Sequence, residues 1–489
     1  MMERSPRLAA ILLAALWLPC AAHAAPPGAT RVSLERVVET GAGITLAPGP
    51  RVEGVAFLQG GRWKDATVRT FNEIPWVDAA SVRLAWAEFE RQDQVFNWEP
   101  FDRVLAVVKQ YNAEHPGAHR TLQIRAMGGR HCPKWFEQAG VRYYDTTRPE
   151  PGNWQTPLRA PMPYDNPEFL RQLRELYRAM YARYRDEPLV AVYHGTWSAG
   201  PWDEIFIPRP ASPQPPGFTR EKFTQGTIEQ ADVLIDELCL KEKVAELPFT
   251  GEYPDAKVID FLGPLTRHIT ERLGRRSPYF YVQSNGWGFW KPQHRPTIAW
   301  DHERDMRAVL GQMNVALQAL GSNAGGKWVP QGDWIGLIQL AEEFRAAYTE
   351  ICEPDFQPLD VAHHLVEAFT QTTADTAGLP KDFVGFRPWL QQRQRLLFVR
   401  EGVLRAAFRR PEGAKRIARI ALDGNVPAAC AVRCRARVRA ADGEWTPWLD
   451  AAQTGPWPAS DEVELEATLH TDDGYVTPTI RELKPEWSP

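Results

Sequence analysis

The chain of 489 residues has few cysteines and no excess of positive charge, and both shortages exclude classes of protein. Its six cysteines are too few and too scattered to form a disulfide framework. Its formal charge is −4, from 57 Lys and Arg against 61 Asp and Glu. Binding to nucleic acid phosphates requires a surplus of positive charge, so we expect no nucleic-acid partner. With 44% hydrophobic and 11% aromatic residues, the sequence is not typical of a disordered protein.

Long apolar runs and common cofactor motifs are also missing. Beyond the first two dozen residues there is no run of about 18 apolar residues, so we expect no membrane span. No P-loop, dinucleotide fingerprint or HExxH motif occurs. The pair His363-His364 falls in a helical stretch, where neighbouring side chains point apart and do not share a metal. The sequence therefore predicts no cofactor and no metal.

The first 24 residues have the pattern of a cleaved signal peptide. Arg4 and Arg7 precede the apolar run Leu8–Leu18, and Ala22-His23-Ala24 provides the small residues of a signal-peptidase site. Lipidation of Cys20 is an alternative, but the residues before it match a lipobox poorly. We therefore predict export to the periplasm or the extracellular space, with cleavage after residue 24.

Tryptophan, in contrast, is abundant, with 19 residues. Leu, Val and Ile would pack a core equally well, whereas an indole ring also offers a flat apolar face with a polar edge. We interpret about half of these rings as core residues and the others as lining a surface for a flat, polyhydroxylated ligand. The predicted partner is therefore a carbohydrate.

From about Arg51 to Phe386, short apolar or β-branched runs alternate with longer amphipathic stretches. This alternation is typical of βα repeats around a parallel sheet. The eight candidate strands are Val52–Phe57, Ser81–Ala87, Arg120–Ala126, Leu189–Trp197, Val244–Thr250, Tyr279–Ser284, Trp334–Ala341 and Phe383–Phe386. The candidate helices are Phe101–Tyr111, Pro167–Tyr184, Thr227–Leu240, Ala256–Leu273, His302–Leu320 and Pro358–Gln371. Eight repeats predict a (β/α)₈ TIM barrel over residues 25–395, with a doubly wound sheet as the alternative because the fifth and eighth strands have the weakest patterns.

The pattern changes near Leu396. Charged and apolar residues then alternate, as in Val463–Leu469, and Asp-Gly pairs at 423, 442 and 473 are typical of hairpin turns. We predict that residues 396–489 form a small antiparallel β-sandwich.

Acidic residues with aromatic neighbours occur where the predicted fourth and seventh strands end. The fourth strand leads to Asp203-Glu204 after Trp202, and the seventh ends at Glu342-Glu343. Barrel enzymes place their reacting groups at the carboxyl ends of strands, and cleavage of an acetal needs one carboxylic acid and one carboxylate about 5–9.5 Å apart. Carboxyl groups from these two strands would face each other across the barrel mouth.

Each carboxyl group receives a predicted role. Glu204 is the general acid, because Trp202 and Pro201 provide an apolar wall that disfavours the ionised form. On the seventh strand, alternation starting from the polar Gln339 directs Glu343 into the barrel, so Glu343 is the predicted nucleophile. Glu342 takes its place if a bulge shifts the alternation.

Further candidates for substrate binding lie on or near the predicted strand ends. Each tryptophan among them is as well explained by the core, Asn285 by a turn, and His194 by a hydrogen bond inside the barrel. The full set is Arg83, Trp86, Trp135, His194, Trp197, Trp202, Asn285, Trp287 and Trp334.

Four segments carry a resemblance to a known family: Val82–Glu90, the following Phe96–Asp102, Pro163–Phe169 and Ala182–Pro188. The first two resemble the second strand and its turn in clan A glycoside hydrolases, and especially in their β-galactosidase-like branch, and the other two resemble the segments that lead to the fourth strand there. The resemblance implies that Arg83 keeps the nucleophile ionised through a charge-assisted bond. Clan A enzymes usually carry Asn-Glu after the fourth strand, where this chain has Asp203-Glu204.

Three hypotheses follow. The first is an exported glycoside hydrolase that cleaves an oligo- or polysaccharide by a retaining mechanism. The second is a non-catalytic carbohydrate-binding protein on the same scaffold. The third is a structural or adhesion module, in which most tryptophans lie in the core.

Overall fold

The structure is a computed structural model, and the chain divides into two compact units. One unit is Pro50–Arg395; the other combines Met1–Gly49 with Leu396–Pro489. The described residues are 26, 28–52, 54–145, 159–198, 205–206, 214–250, 262–284, 309, 311–319, 334–352, 366, 379, 383–440, 442–452, 457–472 and 474–489. The predicted signal peptide lies outside them.

The first unit is a closed barrel of eight parallel strands. They are β1 (Val55–Gly60), β2 (Ala79–Ala85), β3 (Thr121–Met127), β4 (Val190–His194), β5 (Val244–Thr250), β6 (Phe280–Ser284), β7 (Asn314–Ala319) and β8 (Tyr348–Cys352). Each strand pairs with the next in parallel, and β8 pairs with β1 to close the sheet. The predicted (β/α)₈ barrel is confirmed and the doubly wound alternative is wrong.

Helices connect these strands. Those between strands are Asp65–Glu73, Glu99–Glu114, Pro167–Tyr184, Arg220–Glu237, Leu262–Leu273 and Trp334–Glu343, and the helix Phe386–Gln391 follows β8. Shorter turns are the helix Trp86–Phe89 and the 3₁₀ segments Gly129–His131, Lys134–Phe136, Cys239–Lys241 and Gly274–Tyr279. Short strands Glu90–Gln92, Val95–Phe96, Tyr143–Asp145, Arg159–Pro161 and Ile205–Phe206 complete the unit.

The helix Pro167–Tyr184 shows why the first half of the barrel could be predicted. It begins with a proline, which has no backbone N–H. The N–H groups in the first turn of a helix have no partner within the helix, so the proline costs no hydrogen bond there. Its buried residues Phe169, Leu173, Leu176 and Met180 follow the helical repeat and form one apolar face. The predicted bounds of this helix are confirmed.

In the second half of the barrel three predicted elements are wrong. The predicted seventh strand Trp334–Ala341 belongs to a helix, whose buried Leu337, Ile338 and Ala341 have helical spacing. The true β7 lies inside the predicted helix His302–Leu320, because a short apolar run such as Val315-Ala316-Leu317 fits either a buried strand or a helix. The predicted eighth strand Phe383–Phe386 is irregular chain that leads into a helix at Phe386.

The second unit is an antiparallel β-sandwich. Its first sheet has the order Ala29–Glu35, Glu401–Arg409, Glu462–Thr471, Cys430–Val438 and Leu449–Asp450. The second has the order Arg416–Asn425, Thr479–Ser488, Gly43–Leu46 and Val37–Thr40. Leu404 and Leu465 of the first sheet share one core with Ile44 and Ile480 of the second. The sandwich is confirmed, but it includes N-terminal strands that the sequence assigned to the barrel domain, since Ala29–Glu35 pairs with Glu401–Arg409.

Two expectations about membranes and cysteines can be compared with the described residues. No helix among them is long and apolar enough to cross a membrane. Cys132, Cys239 and Cys434 are free thiols. Cys430 and Cys434 lie on the same strand, about 13 Å apart along it, which is too far for a disulfide.

Candidate functional site

The structure places Glu342 and Glu343 at the end of the barrel opposite to the carboxyl ends of the strands. Both residues lie in the last turn of the helix that precedes β8. The backbone N–H of Ala347 in the following turn donates to the carbonyl of Val315, at the start of β7. Glu342 forms an ion pair with Arg393 and is about half-exposed. Glu343 and Glu342 were predicted as nucleophiles because they were expected at the carboxyl end of a strand. That expectation is wrong.

Several other candidates lie outside the described residues. They are Glu204, Trp202, Asn285, Trp287 and the pair His363-His364. Trp334 is the first residue of the helix Trp334–Glu343, so it does not belong to a strand.

Three candidate tryptophans near the carboxyl ends of β2, β3 and β4 pack into the protein. Trp86 is buried, and its indole N–H donates to Glu90 Oε2 at 2.7 Å. Trp197 is buried as well, and its indole lies so close to Gly195 that a Cβ there would be 2.5 Å from Nε1. Trp135 is half-buried against the edge of Phe136, with ring centroids 4.7 Å apart. Trp86 and Trp197 therefore act as core residues.

His194 lies at the centre of a charged cluster inside the barrel. Its partners are Arg125 on β3, Glu246 on β5 and Glu350 on β8, and none of these four side chains has solvent-exposed area. We call these four residues the lumen cluster. Arg125 Nη2 lies 3.7 Å from a carboxylate oxygen of Glu246 and 3.7 Å from one of Glu350. The two carboxyl groups are therefore held beside one cation.

Glu350 accepts hydrogen bonds at both carboxylate oxygens. Ser81 on β2 donates its hydroxyl to Oε1. Gln318 on β7 and Gln283 on β6 donate their amides to Oε2, at 2.7 and 3.1 Å. Arg125 also donates to the side-chain oxygen of Gln283, at 2.8 Å. These donors fix the carboxylate of Glu350 in the lumen and match its negative charge.

The imidazole of His194 bridges the two carboxyl groups. Its Nδ1 lies 2.9 Å from Glu246 Oε1, and its Nε2 lies 3.3 Å from Glu350 Oε1. Arg125 Nη2 also approaches Nδ1, at 2.8 Å. The imidazole therefore lies within contact distance of both carboxyl groups and of the guanidinium group of Arg125.

The two carboxyl groups have opposite pKa shifts. Burial raises the pKa of Glu246 and the nearby charge of Glu350 raises it further, against the lowering effect of His194 and Arg125. Burial acts on Glu350 in the same sense, but the charges of Arg125 and His194, the Ser81 hydrogen bond and the charge of Arg83 lower its pKa to about 2. Glu350 is thus the more acidic carboxyl group of the pair, and Glu246 keeps its proton to a higher pH than Glu350 does.

Arg83 lies where the resemblance expects an arginine that favours an ionised carboxylate. Arg83 follows Ser81 by two residues on β2, and side chains two residues apart on a strand point to the same face. Arg83 therefore faces the lumen as Ser81 does, but closer to the carboxyl end of the strand. Its charge is one of those that lower the pKa of Glu350. The carboxylate that Arg83 influences is therefore on β8.

Sequence reasoning missed Glu246, Glu350 and Arg125 because it considered acids only where strands end. Glu246 lies within the correctly predicted strand Val244–Thr250, between Ala245 and Leu247. A charged residue inside an apolar strand is costly unless it is paired, so this position was a usable signal. Glu350 had no such signal, because β8 itself was not recognised.

Among the described residues, no group of His, Cys, Asp or Glu side chains has the arrangement needed to hold a metal ion.

Comparisons with known proteins give only distant likenesses. No protein-family model matches the chain, and no curated protein matches its sequence. Endo-glycoceramidase II from Rhodococcus sp. is similar in structure with 11% identity and a TM-score of 0.37, over 87% of this chain and 98% of that chain. An endogalactoceramidase is similar with 12% identity and a TM-score of 0.37, over 90% of this chain and 100% of that one. A trimodular endoglucanase of subfamily GH5_4 has 12% identity and a TM-score of 0.38, over 84% of this chain and 68% of that one. At these values the likenesses carry no argument about activity, and the barrel is identified from its own strand pairings.

Proposed function

We propose that the chain is an exported glycoside hydrolase of the clan A type, in the β-galactosidase-like branch that Val82–Glu90 and Phe96–Asp102 resemble. Its substrate is an oligo- or polysaccharide, and its mechanism is retaining. Glu350 takes the role of nucleophile that the sequence assigned to Glu343, and Glu204 remains the general acid.

The observation that carries this proposal is the carboxylate of Glu350 inside a closed parallel barrel, beside the guanidinium group of Arg125 and with hydrogen-bond donors at both oxygens. A nucleophilic carboxylate must stay ionised while a second acid nearby keeps its proton. Arg125, His194 and Arg83 hold the pKa of Glu350 at about 2, although the side chain is fully buried. A low-dielectric lumen makes these charge interactions stronger than they would be in water.

The choice of Glu204 as the acid rests on the sequence and on the opposite places of β4 and β8 in the barrel. Glu204 follows the end of β4 by ten residues, and β4 and β8 lie opposite each other in an eight-stranded barrel. In a retaining reaction Glu204 would protonate the departing glycosidic oxygen while a Glu350 oxygen bonds to the anomeric carbon. Glu204 would then remove a proton from water, whose oxygen displaces Glu350 from the sugar.

Glu246 does not serve as the second carboxyl group across the glycosidic bond. The imidazole of His194 contacts both carboxyl groups and fills the space between them. We therefore interpret His194 and Glu246 as positioning residues that set the charge of Glu350.

The burial of the lumen cluster favours a second candidate, a non-catalytic carbohydrate-binding protein. Glu350 has no exposed area, and Ser81, Gln283 and Gln318 occupy three of about four acceptor sites on its carboxylate. In that case the cluster would serve only to hold the barrel strands together.

Release of reducing ends from a panel of polysaccharides distinguishes the two candidates. We expect wild-type protein to hydrolyse at least one of them, Glu350→Gln to be inactive, and Glu204→Gln to be slower by about 10²–10⁴-fold. Glu175→Gln is the matched control, since Glu175 pairs with Arg178 on an outer helix. An inactive wild type that still binds a polysaccharide supports the second candidate, while loss of activity in Glu343→Gln but not in Glu350→Gln contradicts the proposed nucleophile.

A further inference from the structure

The first sheet of the sandwich carries a row of arginines on the face turned away from the core. Along the strand Cys430–Val438, Ala436 and Val438 point into the core, so Arg433, Arg435 and Arg437 point outward. Three alternate positions span about 13 Å, which is longer than a single sugar ring. Arg405 and Arg31 extend the same face onto the two strands beyond.

Two buried carboxylates lie beneath these arginines and hold them in place. Glu466 accepts from Arg435 Nε at 2.6 Å and from Arg405 Nε at 2.8 Å. Glu464 accepts from Arg437 Nε at 2.7 Å and from Arg31 Nη2 at 3.3 Å. Each carboxylate thus meets two guanidinium groups.

The arginine side chains of this face are far more exposed to solvent than the two glutamate side chains. The side chains of Glu464 and Glu466 are 7% and 4% exposed, whereas those of the four paired arginines are 30–66% exposed. Glu35 lies 3.6 Å from Arg405, and Asp450 lies opposite Arg435, so the edges carry negative charge as well. Even so, the centre of the face presents guanidinium groups to the solvent, each with N–H donors beyond those bound to glutamate.

Two tryptophans lie beside the arginine row. Trp445 is the bridge partner of Arg439, and the segment that follows it runs along the edge of the sheet. Arg437 lies 5.0 Å from the ring centroid of Trp445 and 4.6 Å from that of Trp448, and Arg435 lies 4.9 Å from Trp448. Both indoles are half-buried. We call Arg31, Arg405, Arg433, Arg435, Arg437, Trp445 and Trp448 the arginine–tryptophan face.

We propose that the arginine–tryptophan face binds an acidic polysaccharide, a glycan whose sugar rings carry carboxylates. Guanidinium groups bind carboxylates through paired N–H bonds, and indole rings pack against the apolar faces of sugars. The glutamates beneath hold the guanidinium groups in position before the ligand arrives, so less side-chain entropy is lost on binding. The face belongs to the sandwich unit, and this inference does not depend on hydrolysis by the barrel.

Titration of the full chain with polygalacturonate tests this site, with a neutral galactan as comparison. We expect polygalacturonate to bind at least about tenfold more tightly than the galactan, and its binding to weaken as salt is added. Arg433→Gln and Trp448→Ala should each weaken binding about 3- to 10-fold. Arg433 faces Thr468 on the next strand, so its substitution breaks none of the four pairs to Glu464 and Glu466.

Arg416→Gln is the matched control, because Arg416 is exposed on the other sheet and the charge change is the same. The proposal is overturned if polygalacturonate does not bind, or if Arg416→Gln weakens binding as much as Arg433→Gln. It is also overturned if polyacrylate or single-stranded DNA binds as tightly as polygalacturonate. Binding that persists in Glu350→Gln supports a site separate from the barrel, even if no hydrolysis is ever observed.

Discussion

The opposite pKa shifts of Glu350 and Glu246 predict that removing their charges has unequal effects on stability. Glu350→Gln removes the negative charge that balances Arg125, and its new amide N–H₂ would face the amide donors of Gln283 and Gln318. Glu246→Gln replaces a carboxyl group whose pKa is raised by burial, so that its ionised form is disfavoured. We expect the first variant to be destabilised and the second to be close to wild type.

The size of the effect follows from the pKa of Glu350. That pKa falls from 4.5 to about 2 on folding. At about 1.4 kcal/mol for each pKa unit, the ionised carboxylate contributes about 3 kcal/mol at pH 7. A lowered pKa gives stability that is present above the unfolded value and is lost as pH falls toward the folded value. The contribution should therefore decline below about pH 4.5 and be nearly gone at about pH 2.

The contribution of Glu246 to stability has the opposite pH dependence. Because folding raises its pKa, its contribution is present below about pH 4.5, the value in the unfolded chain, and is lost as pH rises through the folded value. The contribution of Glu246 is therefore smaller at pH 7 than at pH 4, and the isosteric amide should cost less stability at pH 7 than the substitution of Glu350 does.

Urea unfolding of the three proteins, followed by circular dichroism at pH 7 and pH 4, measures these differences. At pH 7 Glu350→Gln should lose about 3 kcal/mol of unfolding free energy, and the loss should shrink at pH 4. Glu175→Gln should change it by less than about 1 kcal/mol, since its ion pair is partly exposed. Equal losses in the Glu350 and Glu246 variants, or a Glu350→Gln loss no larger than the control's, would refute the reasoning.

Further predictions concern the core of the barrel. Gly195→Ala should destabilise the protein by about 1–3 kcal/mol in urea unfolding, because the added Cβ would lie 2.5 Å from Trp197 Nε1; unchanged stability would contradict that contact. Trp86→Phe leaves Glu90 Oε2 without its indole donor and should cost about 1–3 kcal/mol in the same assay. Burial raises the pKa of Cys239 to about 12, so its thiol should react with Ellman's reagent only after unfolding, and fast labelling of the folded protein would show that it is accessible.

The parts of the fold that sequence could predict are those with strong local signals. Pro167–Tyr184 combines a proline at its start with a helical repeat of apolar residues, and Val244–Thr250 is a short apolar run between longer helical patterns. In contrast, Asn314–Ala319 consists of residues that suit helices and strands alike, and only its pairing with β6 and β8 makes it a strand. Trp334–Glu343 begins with residues typical of strands but forms a helix.

The candidate site depended on these weaker elements. Once Trp334–Ala341 was interpreted as a strand, Glu343 stood at its carboxyl end, although the structure places it at the other end of the barrel. The contacts of Arg125, His194 and Glu350 join residues from three strands far apart in the chain. Local sequence patterns do not encode that meeting, because barrel closure and strand register decide which side chains share a layer.

The most direct test of the proposed activity is to identify the residue that bears a trapped glycosyl group. Activated 2-deoxy-2-fluoro glycosides react with retaining glycosidases but leave the covalent sugar in place, so peptide mass spectrometry locates the nucleophile. We predict an adduct on the peptide containing Glu350 and none in Glu350→Gln. An adduct on any other carboxylate, or hydrolysis of such glycosides by the wild type without any adduct, would contradict the account.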